Sequence, residues 1–193
     1  MKASKNPSAP RSQITAAAYR LLAEKGYEAA TMKEIAHAAG VAPGLIHYYF
    51  KSKDELLQEV LSEAGRRYIQ QMQRFAEQYS GEALEQVTLA EPRERVEREP
   101  EWYRLRSELF ALGLHHPHFK PAAAAMLAAG RECIGGTIEK IARHKLAHPP
   151  EAVAAVLLAT FDGLATQKLA DPDFDLEAAY RVLAEMFRSQ LSG

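Results

Sequence analysis

Residues 36–50 read "AHAAGVAPGLIHYYF", and the fold turns on how that stretch is parsed. Gly40 separates two segments of helical composition. In a helix-turn-helix the two helices cross steeply and nearly touch, so the crossing requires a small residue, which Ala36 supplies. The turn needs a positive φ four residues later, and Gly40 adopts it without a Cβ penalty. The second helix must point one apolar side chain back at the first, and Ile46, six residues past the glycine, meets that need. Pro43 suits the first turn of that second helix, where its missing N–H is not required. The three-point spacing predicts a helix-turn-helix. The alternative is an ordinary helical hairpin that binds nothing.

Helical signals continue on both sides. A helix is predicted over about 11–25, with Ile14, Ala17, Ala18, Leu21 and Leu22 on one stripe and Gly26 closing its last turn. Thr31 and Glu34 of "TMKE" have capping-box spacing and open a short helix that ends near Ala39. Ser52 and Glu55 of "SKDE" repeat that logic and open a long fourth helix, with Leu56, Leu57, Val60, Leu61, Ala64 and Tyr68 on its buried face. "EPRERVEREP" (91–100) alternates in charge between prolines and reads as a solvated helical turn or loop. Further helices are predicted over about 100–114, 121–144 with loosening at Gly135-Gly136, 151–169 and 175–190. No alternating strand-like segment occurs, so the fold class is all-α.

The 193 residues are 47% apolar and 25% charged, enough for a core. The net charge of −1 conceals an asymmetry. Residues 1–53 carry eight Lys/Arg and three acids, a net of +5, and the remainder carries −6. A basic head on an acidic body fits a polyanionic partner. No apolar run approaches the roughly 18–20 residues that cross a bilayer, so no membrane partner is expected. "MKASKNPSAPRSQ" lacks the apolar stretch of a secretory signal, and residues 1–10 are expected to form a disordered arm. A single cysteine, Cys133, fits a cytoplasmic location. No nucleophile triad, phosphate loop, metal-binding helix or cofactor motif stands out, so neither an enzyme nor a cofactor is expected. "HHPH" (115–118) with His144 and His148 invites a metal. Pro117 breaks any helical pairing there, and no cysteine pair or acidic partner stands at ligand spacing.

If residues 43–49 enter a major groove, the exposed face of that helix does the reading. Pro43, Gly44 and Leu45 form its leading end: Gly44 permits close backbone approach, and Leu45 offers apolar contact to a thymine methyl. His47 is placed for a base edge or phosphate. Tyr48 and Tyr49 have hydroxyls that can donate to phosphates, while Phe50 is assigned to the core. Lys53, Thr31 and Lys33 stand in or before the first turns of their helices, where cations and N–H groups favour phosphate.

"TMKEIAHAAGVAPGLIHYYFKSKDELL" (31–57) resembles the DNA-binding region of the TetR family of bacterial transcriptional regulators. The resemblance is carried by the T-x-x-x-I-A-x-x-A-G-V core, the Y-Y-F aromatics and the S-K-[DE]-x-L-L opening, and covers about residues 11–61. Two positions depart from the family pattern: Ala42 stands where a serine cap is common, and His47 where a tyrosine is usual. The resemblance implies an all-α protein with an N-terminal three-helix DNA-binding domain (11–53) and a C-terminal helical ligand-binding and dimerisation domain (54–193). It implies a homodimer through 151–190, reading a pseudo-palindromic operator in double-stranded DNA with two heads spaced by turns of roughly 34–36 Å. It also implies release by an unidentified small-molecule effector, the behaviour of a repressor. Trp102, Tyr103, Arg106, Phe110, Met126, Cys133 and Phe161 are candidate pocket residues, with His115 and Gln167 as further polar anchors. The alternative is a regulator whose C-terminal domain binds a protein partner.

Overall fold

A computed structural model of the chain describes residues 8–142 and 146–191. The described residues form nine helices and no strand: α1 Ser8–Lys25, α2 Met32–Ala38, α3 Pro43–Tyr49, α4 Lys53–Gln78, α5 Gly81–Arg98, α6 Pro100–His115, α7 Lys120–Ile141, α8 Pro150–Ala170 and α9 Leu176–Leu191. They fall into two compact units. One comprises Met1–Gly65 with Arg104–Ala123, and the other Arg66–Tyr103 with Ala124–Gly193. This partition differs from a single cut between residues 53 and 54, because the end of α6 and the start of α7 cluster with the N-terminal helices.

The first unit is built around the turn. Ile14 and Leu22 of α1, Ile35 and Ala36 of α2, Ile46 of α3, and Phe50, Leu56 and Leu57 are fully buried. Gly40 has φ +65°, so the turn uses the left-handed conformation that glycine tolerates. Thr31 accepts from the Glu34 N–H at 3.2 Å and Glu34 accepts from the Thr31 N–H at 3.0 Å, closing the capping box. At α4 the box is displaced. Ser52 Oγ accepts from the Glu55 N–H at 3.1 Å, but the Glu55 carboxylate reaches back to the Lys51 N–H at 2.8 Å. One expectation is corrected at the N-terminus: α1 begins at Ser8, so Pro10 lies in its first turn, where its missing N–H costs nothing. The rest of the expected arm, residues 1–7, lies outside the described residues.

The second unit holds a larger correction. The segment read as a solvated turn or loop is the C-terminal half of α5, and Glu91, Pro92, Arg95 and Val96 are buried. Pro92 sits inside the helix, where it removes one backbone bond. Two of its cations converge on one buried carboxylate: Arg95 and Arg98 both reach Glu91 Oε1 at 2.9 Å. The Arg95 guanidinium also stacks 4.3 Å from the Tyr68 ring centroid. Alternating charge at four-residue spacing therefore builds an interior ion pair here. No loosening occurs at Gly135-Gly136, since α7 is helical throughout.

A second correction concerns apolar runs. Pro150–Ala170 is a helix long and apolar enough to cross a membrane. Isolated charges at Glu151, Asp162 and Lys168 hide this when uninterrupted runs are sought, because the alanines and leucines between them outweigh the charges over the helix as a whole.

Candidate functional site

α3 is seven residues long, and only Ile46 is buried along it. The buried Ile46 and Phe50 fix which way the helix faces, so Pro43, Gly44, Leu45, His47 and Tyr48 are exposed and Tyr49 is half-buried. Tyr48 is 80% exposed and meets Tyr49 edge-on at 5.0 Å. Phe50 is core, as its position suggested, and carries the Arg11 guanidinium 5.1 Å from its ring centroid. Ala42 makes no side-chain cap, which follows from its lack of an acceptor.

Tracing Arg11, Lys25, Lys33, Lys51 and Lys53 of the basic head separates those already used from those left exposed. Arg11 pairs with Glu59 at 3.2 Å and Lys25 with Glu34 at 2.8 Å. Glu34 thereby drops well below the usual carboxylate range, to about 2, chiefly through the Lys25 bond and then through Thr31. The Thr31 hydroxyl donates to the same carboxylate at 2.8 Å, so it serves as cap and tether. Lys53 is committed most heavily: its ammonium donates to the carbonyls of Tyr27, Glu28 and Ala30 and lies 4.2 Å from the Tyr27 ring centroid. The expected phosphate contact would have to compete with these three carbonyls. Lys33 is exposed without an ion pair among the described residues, and so is Lys51, which the sequence reading passed over. The signal that points to it is its place directly after Phe50, two residues beyond the end of α3.

The loop after α6 meets this head. His118 Nε2 lies 2.9 Å from Asp54 Oδ2, at the start of α4, and the Tyr27 hydroxyl donates to the other oxygen of Asp54. The Tyr27 N–H donates to Glu108 of α6, and its ring packs edge-on against Phe119 at 5.5 Å. The His118 ring is thus engaged with Asp54. Among the described residues no group of three His, Cys, Asp or Glu side chains could hold a metal ion, and His144 lies outside them.

The second unit holds a partly open cavity of about 30 Å³, lined by Tyr68 and Met72 of α4, Thr88 and Leu89 of α5, a stripe of α7 from Cys133 to Ile141, Leu157 and Phe161 of α8, and Phe187 of α9. Of the residues expected to line a pocket, Cys133 and Phe161 do so. Burial pushes the Cys133 thiol up to about 11, so it is a packing group and a poor nucleophile. Trp102 and Tyr103 are buried against α5 instead: the Tyr103 hydroxyl donates to the Pro92 carbonyl at 2.9 Å, and the Trp102 ring centroid is 5.7 Å from the Arg95 guanidinium. Arg106 and Phe110 belong to the first unit and pack on each other at 5.0 Å. Met126 is half-buried and is not among the lining residues, and His115 and Gln167 are exposed. Tyr68, Thr88 and Leu89 were missed for one reason: reading the end of α5 as loop left no helix face on which to place its neighbours.

Residues 14–60 match the model of the bacterial regulatory proteins of the tetR family, and residues 82–192 match that of the BetI-type transcriptional repressor C-terminal region. The fatty acid metabolism regulator protein of Bacillus subtilis (strain 168) is 39% identical over 61 residues, which is 32% of this chain and 31% of that protein. The HTH-type transcriptional regulator BetI of Rhizobium meliloti (strain 1021) is 49% identical over 47 residues, 24% of this chain and 23% of that one. These alignments thus span less than a third of each relative's length. Similarity in fold extends further: the crystal structure of the regulator FadR from Bacillus subtilis in complex with stearoyl-CoA matches with a TM-score of 0.73 at 22% identity, over 95% of this chain and 98% of that one.

Proposed function

Since the chain belongs to the tetR family of bacterial regulatory proteins, with a C-terminal region of the BetI repressor type, we propose that it is a ligand-responsive repressor that binds a pseudo-palindromic operator as a homodimer. The observation that carries this reading is the outward face of α3, where Leu45, His47 and Tyr48 are exposed while Ile46 and Phe50 hold the helix against the core. Lys33 and Lys51 add cations without competing partners, and Gly44 leaves room for the DNA backbone. Residues 11–53 are the DNA-binding part and 54–193 the effector and dimer part in this reading, and the protein works in the cytoplasm.

Two copies are needed because one seven-residue helix reads too few base pairs for useful affinity. The face of α8 that carries Ala152, Ala155, Val156, Ala159 and Gly163 is exposed, as are Val182 and Met186 of α9. An apolar surface of that extent on two neighbouring helices suits a second copy of residues 151–190. The same covering accounts for the apolar character of α8 without a bilayer. Val156→Glu is expected to yield monomers by analytical ultracentrifugation and to abolish operator binding.

Effector control would pass through α6, whose Glu108 accepts from the Tyr27 N–H beside the start of α4. A coupling of about 1–3 kcal/mol would lower operator affinity some 5- to 150-fold. Fluorescence anisotropy with DNA from upstream of the protein's own coding region tests the core of the proposal. The expected Kd is about 10⁻⁸–10⁻¹¹ M at physiological salt, with steep salt dependence. Equal affinity for random duplex would overturn it. His47→Tyr probes specificity: an altered operator preference is expected, and an unchanged one would remove His47 from the base-reading set.

A further inference from the structure

Among the described residues, none of the side chains that line the cavity of the second unit carries a charge. Its polar lining groups are Tyr68, Thr88, Cys133 and Thr137. Thr88 donates to Leu84 O at 2.7 Å and Thr137 to Cys133 O at 3.0 Å, so both hydroxyl protons stay with their own helices. Burial raises the Tyr68 phenol and the Cys133 thiol, which keeps both neutral. A carboxylate or phosphate entering this space would lose its hydration and meet no cation in return.

A cation finds no carboxylate in the lining either. Ring faces can hold a cation, and Tyr68, Phe161 and Phe187 all line the space. Two of these rings already have a face covered. The Arg95 guanidinium lies 4.3 Å from the Tyr68 ring centroid, and the Tyr180 ring lies parallel to Phe161 at 6.0 Å and 3°. A second cation at Tyr68 would share that ring with a guanidinium. What the lining offers instead is hydrocarbon, from Met72, Leu89, Ile138, Leu157 and Phe187.

The shape of the space is set by α7. Cys133, Ile134, Thr137, Ile138 and Ile141 form one stripe of that helix, and eight residues at 1.5 Å each span about 12 Å. The helices facing it contribute short patches, such as Tyr68 with Met72 and Leu157 with Phe161. A long, narrow space between apolar walls suits a chain better than a ring. We infer that this cavity takes a linear hydrocarbon chain, laid along α7 with no charged or hydrogen-bonding group inside. The inference rests on the reading of this unit as an effector domain and specifies the buried part of the effector. At about 30 Å³ the cavity has room for a water or two, so a chain parts the lining as it enters. Met72, unbranched and flexible, is suited to move aside. Leu89 is half-buried and also lines an open groove of about 330 Å³ between α5 and α9, which makes it the wall on the entry side.

The test exposes the full-length protein to pentane, hexane and heptane in sealed cells, with cyclohexane and tetramethylammonium for comparison. Binding is read from headspace partition for the hydrocarbons, from calorimetry for the cation, and from the rise in melting temperature for all. Each added methylene is expected to tighten binding about fourfold. Cyclohexane is expected to bind about fourfold more weakly than hexane, the equivalent of one methylene. Tetramethylammonium is expected not to bind. Thr137→Phe, checked for native helicity by circular dichroism, puts a ring into the cavity and is expected to weaken heptane about tenfold. Leu89→Trp, at a half-buried position, closes the wall and is expected to act in the same direction. A flat response to chain length, or cyclohexane binding as tightly as hexane, overturns the chain and leaves the effector reading in place. Tetramethylammonium binding that Thr137→Phe abolishes does the same. Heptane binding unchanged in both variants puts the chain elsewhere on the protein and overturns the inference. If Thr137→Phe does not fold, Leu89→Trp decides the location. Binding of no alkane overturns the inference, while operator binding is tested separately with upstream DNA. Heptane that binds in this cavity without changing operator affinity supports the chain and counts against effector control.

Discussion

The turn at 36–50 and the end of α5 at 91–98 are both short, and both break a helix rule, one with a glycine and the other with a proline. They resolve the break in opposite ways. At the turn everything is local: Gly40 takes φ +65°, and Val41 N donates to Ala36 O at 3.0 Å within a few residues. In α5 the support comes from far along the chain. Tyr103 reaches the Pro92 carbonyl, Tyr68 stacks on Arg95, and Arg188 reaches Glu85 at 2.7 Å from 103 residues away. A local break imposes one conformation by itself, whereas a distributed one holds only while its partners stay in place. The first makes a rigid segment, and the second one whose hold depends on distant partners.

The largest effect should come from cutting the distributed network. Glu91→Ala leaves Arg95 buried without its counter-charge and is expected to cost about 3–5 kcal/mol in urea denaturation. Replacing the pair together, Glu91→Leu with Arg95→Met, removes both charges and should cost much less. If the double variant were as unstable as the single one, stacking on Tyr68 and Trp102, not charge balance, would be what holds α5.

Two glycine substitutions separate steric from backbone causes in the first unit. A Cβ at Gly113 would come within 2.7 Å of the Ala123 Cβ, so Gly113→Ala is expected to cost about 1–3 kcal/mol through overpacking, with Ala123→Gly restoring most of it. A Cβ at Gly40 meets nothing within 4 Å. Gly40→Ala should therefore cost about 1–2 kcal/mol from the left-handed backbone alone. Gly40→Asn should recover part of that, because Asn tolerates this conformation. A full loss with Asn would mean the position also needs space.

These cases show why the sequence was readable in one half and not the other. Ala36, Gly40, Ile46, Phe50 and the Thr31–Glu34 box were legible because each rule involves residues within a few positions, and the helix boundaries they imply are close to those observed. Cys133 and Phe161 were placed in a cavity, but Trp102 and Tyr103 were not separable from them, since all four are apolar groups at helical spacing. Burial of Glu91 and Arg95 was invisible because charge alternation looks the same on a solvated face and around an interior pair. The bonds of Lys53 were invisible for a related reason: three backbone carbonyls from another segment hold its ammonium, and no spacing rule reports them.

The lysines give a smaller test of the local half. Lys51→Ala should weaken operator binding evenly across sequences and reduce the salt slope by about 1, as loss of one phosphate contact does. Lys53→Ala should lower the melting temperature and leave the slope nearly unchanged. The reverse pattern would show that the Lys53 ammonium leaves its carbonyls when DNA arrives.

The smallest expected effect is the pH dependence of the cap at Thr31. Glu34 is held down to about 2 by Lys25 and Thr31, against an ordinary carboxylate value of 4.5 in the unfolded chain. A carboxylate with a lowered folded value binds its proton more readily in the unfolded chain. Its contribution is therefore complete above the unfolded value and is lost as pH falls through about 4.5 towards 2. Because the pair is on the surface, the effect is modest and shrinks with salt. Native protein is expected to lose stability faster than Glu34→Gln between pH 5 and pH 2 at low salt, and the two should converge at the acid end. Parallel curves would show that the Thr31–Glu34 cap contributes nothing to the acid sensitivity of this unit.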